Sequence, residues 1–129
     1  AADIDKIHHE NLRLLMFADV SNIDQLALYI HRHNIARGRV RTRRISLSQV
    51  LLDVLPQVTS PIGGIWGSED ATGGGVPDII KRREILRSHQ PDCQFDIIEG
   101  GGHWVMYEAS SRFNEILSRH LAHYDEQID

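Results

Sequence analysis

Asp70 and His103 are the two residues of this chain whose types and settings best suit proton transfer. Asp70 closes the run Gly67-Ser68-Glu69-Asp70, and His103 follows three glycines, Gly100-Gly101-Gly102. A carboxylate behind an imidazole fixes its tautomer and stabilises the imidazolium formed when the ring accepts a proton. Histidine suits general acid–base work because its ordinary pKa, about 6.5, lies near neutrality. The plainer alternative is a solvated loop acid and a histidine hydrogen-bonded for structural reasons. Glu69 competes with Asp70 for the role of acid. Ser68 lies close by but lacks the glycine spacing of a Gly-x-Ser-x-Gly nucleophile elbow, a motif that occurs nowhere in the sequence. Cys93 reads as structural or incidental. His8-His9 and His31 with His33 could suggest a metal, but no carboxylate or cysteine set joins them, so exposed helix histidines are the simpler reading and no metal is expected.

Whatever positions Asp70 and His103 must come from the elements around them. Ser60 to Gly67 contains the short apolar run Ile62-Gly63-Gly64-Ile65-Trp66, whose length and flanking breakers favour a buried strand. A helix is expected from about Pro77 to His89, with Pro77 in its first turn. Gln94 to Glu99 reads as a second strand, with Phe95, Ile97 and Ile98 as its apolar content. A final amphipathic helix is expected from about Ala109 to Tyr124, burying Phe113, Ile116, Leu117 and Leu121. Strand, helix, strand, helix is the order in which a crossover joins parallel neighbours. Both Asp70 and His103 then fall at the carboxyl edge of a parallel sheet, where such sheets place their ligands. Gly100 to Gly102 would let the backbone turn and present His103. Gly73-Gly74-Gly75 reads as bland flexibility. Two strands make no stable doubly wound sheet, so further strands are expected from absent sequence or a partner chain.

The first part of the chain reads as helical. Ile4 to Phe17 can place Ile7, Leu12, Leu15 and Met16 on one face. Ser21 and Asp24 resemble a weak capping box before a second helix, about Ile23 to Arg37, that stops at Gly38. A third would begin after Ser46, capped by that hydroxyl and Gln49, with Leu47, Val50, Leu51, Val54 and Leu55 as its core face and Pro56 as its bound.

Composition narrows the function classes. The chain has 129 residues, 41% of them hydrophobic, as expected of one modest domain or part of a larger one. A single cysteine excludes an intrachain disulfide. No apolar run approaches the length of a membrane span and no leader is visible, so a cytoplasmic protein with no membrane partner is expected. Ala1-Ala2-Asp3 is compatible with trimming or with a fragment. The net charge is −4, but Lys and Arg outnumber Asp and Glu in residues 1–60, chiefly through Arg37, Arg39, Arg41, Arg43 and Arg44. A nucleic-acid patch is one reading of that run. Without aromatic interleaving or zinc-finger spacing, a solvated helix end and loop is the preferred one, and no nucleic-acid partner is expected.

Ser60-Pro61-Ile62-Gly63-Gly64-Ile65-Trp66-Gly67-Ser68-Glu69-Asp70 resembles the α/β-hydrolase segment that holds a late core strand and the triad acid. Ile98-Glu99-Gly100-Gly101-Gly102-His103-Trp104 to Glu108, followed by Phe113-Asn114, resembles the segment with the triad histidine and final helix. The resemblance implies an α/β fold: the carboxyl-terminal part of an α/β-hydrolase parallel sheet plus a helical cap segment. Residues 1–45 would be cap-like and 46–129 the carboxyl-terminal part of the core. By the same resemblance Asp70 is the orienting acid, His103 the general base, and Glu108 and Asn114 are structural. Trp104 matches a position often held by tryptophan in meta-cleavage-product hydrolases and is the candidate substrate-binding residue. Trp104 and Tyr107 could line a cavity or pack beneath the cap. His31, Arg32 and the Arg37–Arg44 region could meet an anionic substrate. The implied activity is cofactor-free, serine-type hydrolysis of a small ester or related carbonyl compound, with the serine upstream of residue 1. A carbon–carbon hydrolase of a meta-cleavage diketone and a non-catalytic binding module are the alternatives. A missing amino-terminal half, a complementary chain or a homo-oligomer would complete the fold.

Overall fold

The structure, a computed structural model, describes residues 2–39 and 43–125. Its helices are α1 (Ala2–Leu15), α2 (Gln25–Arg37), α3 (Arg43–Ser46), α4 (Val50–Val54), α5 (Val76–His89), α6 (Val105–Glu108) and α7 (Ser110–Asp125), with short 3₁₀ turns at Val20–Asn22 and Leu55–Gln57. Strands β1 (Gly63–Gly67) and β2 (Gln94–Ile98) pair in parallel, with Ile65 opposite Asp96 and Gly67 opposite Ile98. Among the described residues the molecule is thus a largely helical α/β structure with a two-stranded parallel sheet. No described helix is long and apolar enough to cross a membrane.

Local chemistry explains most of these boundaries. Asp3 and Asp5 in the first turn of α1 and Arg13 in its last complement the helix dipole. The expected capping box of Ser21 and Asp24 is not what starts α2. Asp24 itself is the N-cap, its Oδ1 accepting the Ala27 N–H at 2.8 Å, while Ser21 sits in a turn capped by Asp19. The helix ends at Arg37, before Gly38, as the sequence suggests. Pro77 lies at the start of α5, where its missing N–H costs nothing.

The third expected helix breaks in two. The Ser48 hydroxyl donates to the Ile45 carbonyl at 2.7 Å and turns the chain between α3 and α4. Gln49 precedes α4 without a side-chain cap bond, and Pro56 lies in the following 3₁₀ turn. Of the five residues expected on its core face only Leu55 is buried; Leu47 is 77% and Leu51 66% exposed. On α7, Ile116 is buried and Phe113 half-buried, but Leu117 and Leu121 are exposed and His120 occupies a buried position instead. Ile7 and Leu15 of α1 are likewise exposed while Leu12 is fully buried. Of the arginine run, Arg41 lies outside the described residues, and Arg37, Arg39 and Arg44 are exposed.

Two apolar clusters hold the described residues together. Leu12, Phe17 and Ala27 form one, with Trp104 and Tyr107 packed against it. Ile98, Val105 and Ile116 form the other, with Ile65, Ala109 and Phe113 around it. Each fully buried aliphatic side chain of this kind contributes about 1.5–3 kcal/mol. Helix α6, which the sequence does not announce, lies between the clusters and supplies residues to both.

Candidate active site

Both ends of the sheet's carboxyl edge are cross-linked before any side chain is considered. The Ser68 N–H donates to the Ile98 carbonyl at 2.9 Å and the Glu69 N–H to the Gly101 carbonyl at 2.9 Å, carrying the strand pairing into the two loops. Such closeness needs a residue without a side chain at Gly67: a Cβ there would lie 2.0 Å from the Gly101 carbonyl oxygen. Gly100 has φ +72°, a left-handed turn that reverses the chain towards His103. The Ser68 hydroxyl accepts the Gly100 N–H at 2.9 Å and the residue is buried, so this serine is a strut between the loops.

The structure brings Asp70 and His103 together. His103 Nδ1 lies 3.2 Å and 3.1 Å from the two Asp70 carboxylate oxygens. The side chain of Asp70 is only 4% exposed, that of His103 42%. Glu69, the rival acid, is exposed to solvent. Asp70 Oδ1 also accepts the N–H groups of Thr72 at 2.8 Å and Gly73 at 3.1 Å. Burial pushes the Asp70 carboxyl up, but hydrogen bonds from His103 and Thr72 outweigh it and hold the group below its usual value. It is a buried, oriented anion behind the ring.

Thr72 is the residue that sequence reasoning missed. Its hydroxyl donates to Asp70 Oδ1 at 2.8 Å, which leaves its oxygen free to accept from His103 Nδ1 at 2.9 Å. Acid and threonine together therefore favour the tautomer with the proton on Nδ1 and the lone pair on Nε2. The available signal was the Asp-x-Thr-Gly spacing, which favours a side-chain-to-backbone turn. Gly73 is part of this turn, and its carbonyl accepts from Arg82, so the triglycine has a structural partner that composition alone did not suggest.

Glu108 has a definite structural role. Its Oε1 accepts the N–H groups of Ala18 and Asp19, both at 2.9 Å, and its Oε2 accepts the Gly102 N–H at 2.7 Å. The Trp104 N–H donates to the Met16 carbonyl at 2.8 Å. The amino-terminal helices are thereby fastened to the histidine loop. Asn114 is exposed in the first turns of α7.

His103 and Trp104 border a cavity of about 480 Å³ that continues along α1 and α2. Trp104 takes part in both expected environments, since it also packs on Phe17 with ring centres 5.6 Å apart. Tyr107 takes the packing role: it lies against Phe17, and its hydroxyl donates to Asp24 at 2.6 Å. Desolvation and that carboxylate push the phenol up to about 12. Arg32 pairs with Asp5 at 2.9 Å, both side chains about half exposed. His31 does line the cavity. Burial first, and the neighbouring His8, push its imidazole below the usual value. His8 and His31 touch through Nδ1 atoms at 3.1 Å, yet no group of three metal-ligating side chains occurs among the described residues. Cys93 is buried, and burial pushes its thiol up, away from the reactive thiolate.

Comparison with protein-family models, curated proteins and solved structures gives no match. The chemistry of the site must be argued from its geometry.

Proposed function

We propose that Asp70 and His103 are the acid and base of a cofactor-free hydrolase acting on a small ester or related carbonyl compound. The observation that carries this reading is a buried carboxylate on His103 Nδ1 with the ring itself reaching a cavity. Among the described residues His103 Nε2 has no hydrogen-bond partner, so its lone pair is available to take a proton from an attacking hydroxyl. The imidazolium formed would be stabilised by Asp70 and steadied by Thr72. In the second half-reaction the same nitrogen would activate water to release the acyl group. The attacking hydroxyl belongs, in this reading, to a serine outside these residues, in keeping with the resemblance of both loops to the acid and histidine segments of α/β-hydrolases. Trp104, which lines the same cavity as His103, supports a carbon–carbon hydrolase of a meta-cleavage diketone as the second reading.

The test is hydrolysis of p-nitrophenyl acetate by the product of the complete coding sequence, compared with its His103→Gln variant. Loss of at least about a thousandfold in kcat is expected, within the range of a removed triad member. Turnover that survives the substitution within a factor of about three would overturn the assignment.

A further inference from the structure

We propose that the cavity beside His103 selects an uncharged substrate with a hydroxyl or carbonyl group remote from the reacting carbon, and that His31 is the residue that reads that group. The inference rests on the hydrolase reading for its substrate, but the binding it describes needs no turnover. Four polar side chains reach the cavity: Asn11, His31, Asn34 and His103. Its apolar walls are Leu15, Met16, Ile35 and Trp104. Among the described residues no Lys, Arg, Asp or Glu lines it, and Arg32, the nearest candidate in sequence, is held by Asp5. A carboxylate bound along these residues would meet no cation to pair with. A neutral oxygen function meets two carboxamides and an imidazole, all able to share hydrogen bonds.

His31 is suited to this task by its contact with His8. In the neutral pair one Nδ1–H donates to the other Nδ1 across 3.1 Å. When His8 donates, His31 carries its own proton on Nε2 and offers a donor. When His31 donates, its Nε2 becomes an acceptor. A tautomer exchange within the pair therefore lets the other ring nitrogen of His31 act either as a donor or as an acceptor. The same burial that favours this neutral state disfavours the imidazolium that an anion would need.

Two probes that share one ketone and one ring separate the possibilities: 4-(hydroxymethyl)acetophenone, which is neutral, and 4-acetylbenzoate, which is an anion. Each is titrated into the chain while the imidazole resonances are followed by ¹⁵N–¹H NMR. The neutral probe is expected to shift the signals of both His31 and His103 and to bind at least about tenfold more tightly than the carboxylate, the size of one neutral-for-charged mismatch. His31→Phe should weaken it by about tenfold, and Asn34→Ala, at an exposed position where folding is not at risk, by several-fold. Equal or tighter binding of the carboxylate, no binding of the neutral probe, or indifference to both substitutions would overturn the inference. Failure of the hydrolase reading would instead leave this binding intact while hydrolysis ignored His103.

Discussion

At the scale of single residues, Thr72 makes a claim that differs from that of Asp70. Asp70 supplies charge, while the threonine hydroxyl bridges Asp70 and His103. Thr72→Val keeps the shape and removes the bridge, so on the proposed hydrolase reading kcat of the product of the complete coding sequence should fall about tenfold, the equivalent of one hydrogen bond, and Thr72→Ser should restore most of it. Equal rates for the Val and Ser variants would reduce the hydroxyl to a turn-former. Two buried or half-buried carboxylates also set the acid limit of stability. Burial raises the Asp96 carboxyl, but hydrogen bonds from His120 and Arg119, at 2.7 Å and 2.6 Å, bring it below the usual value, as His103 and Thr72 do for Asp70. Because the folded state holds these protons less tightly than the unfolded chain, the stabilisation is present above the unfolded value, about 3.9, and is lost as pH falls through the folded ones. Urea midpoints should therefore drop as the pH is lowered below about 5, and drop less in Asp96→Asn. A variant with an unchanged acid slope would show that other groups carry it.

At the scale of elements, the sequence was most informative where period, breaker and length agreed. Both strands lie where the apolar runs and flanking glycines and prolines put them, and α5 carries its proline in the first turn. The misses share a cause: periodicity shows which residues could face a core, and packing decides which of them do. Helix α7 makes the distinction measurable. Ile116→Ala should cost about 2–5 kcal/mol in urea unfolding, since the side chain is buried at 1% exposure. Leu121→Ala, on a residue the sequence assigns to the same face, should stay within about 0.5 kcal/mol because that side chain is exposed. Similar losses at both positions would restore the sequence's version of the face. The site followed the same pattern. Asp70 and His103 were legible because each follows a strand. The turn of Thr72 on Asp70 had a local signal in its spacing, but the bond from Thr72 to His103 and the clamp formed by Glu108 join segments far apart in sequence, where spacing is silent.

At the scale of the whole molecule, apolar side chains lie exposed along α3 and α4, among them Ile45, Leu47, Leu51 and Leu52. Contiguous apolar surface of more than a few hundred Å² drives association in water. The chain should therefore sediment as concentration-dependent oligomers, and a Leu47→Asp, Leu51→Asp double variant should shift that equilibrium towards monomer. Identical sedimentation of the two proteins would locate the association elsewhere. The two-stranded sheet adds unpaired edges to the same problem, since such a sheet rarely stands alone.

One carboxylate gives the site a property that neither loop has by itself. Glu108 grips Ala18 and Asp19 with one oxygen and Gly102, immediately before His103, with the other. The first helices and the loop that carries His103 are consequently joined through one side chain. A ligand that parts those helices from the loop works against these bonds, and any coupling that follows runs equally in both directions, because linkage between two sites is reciprocal.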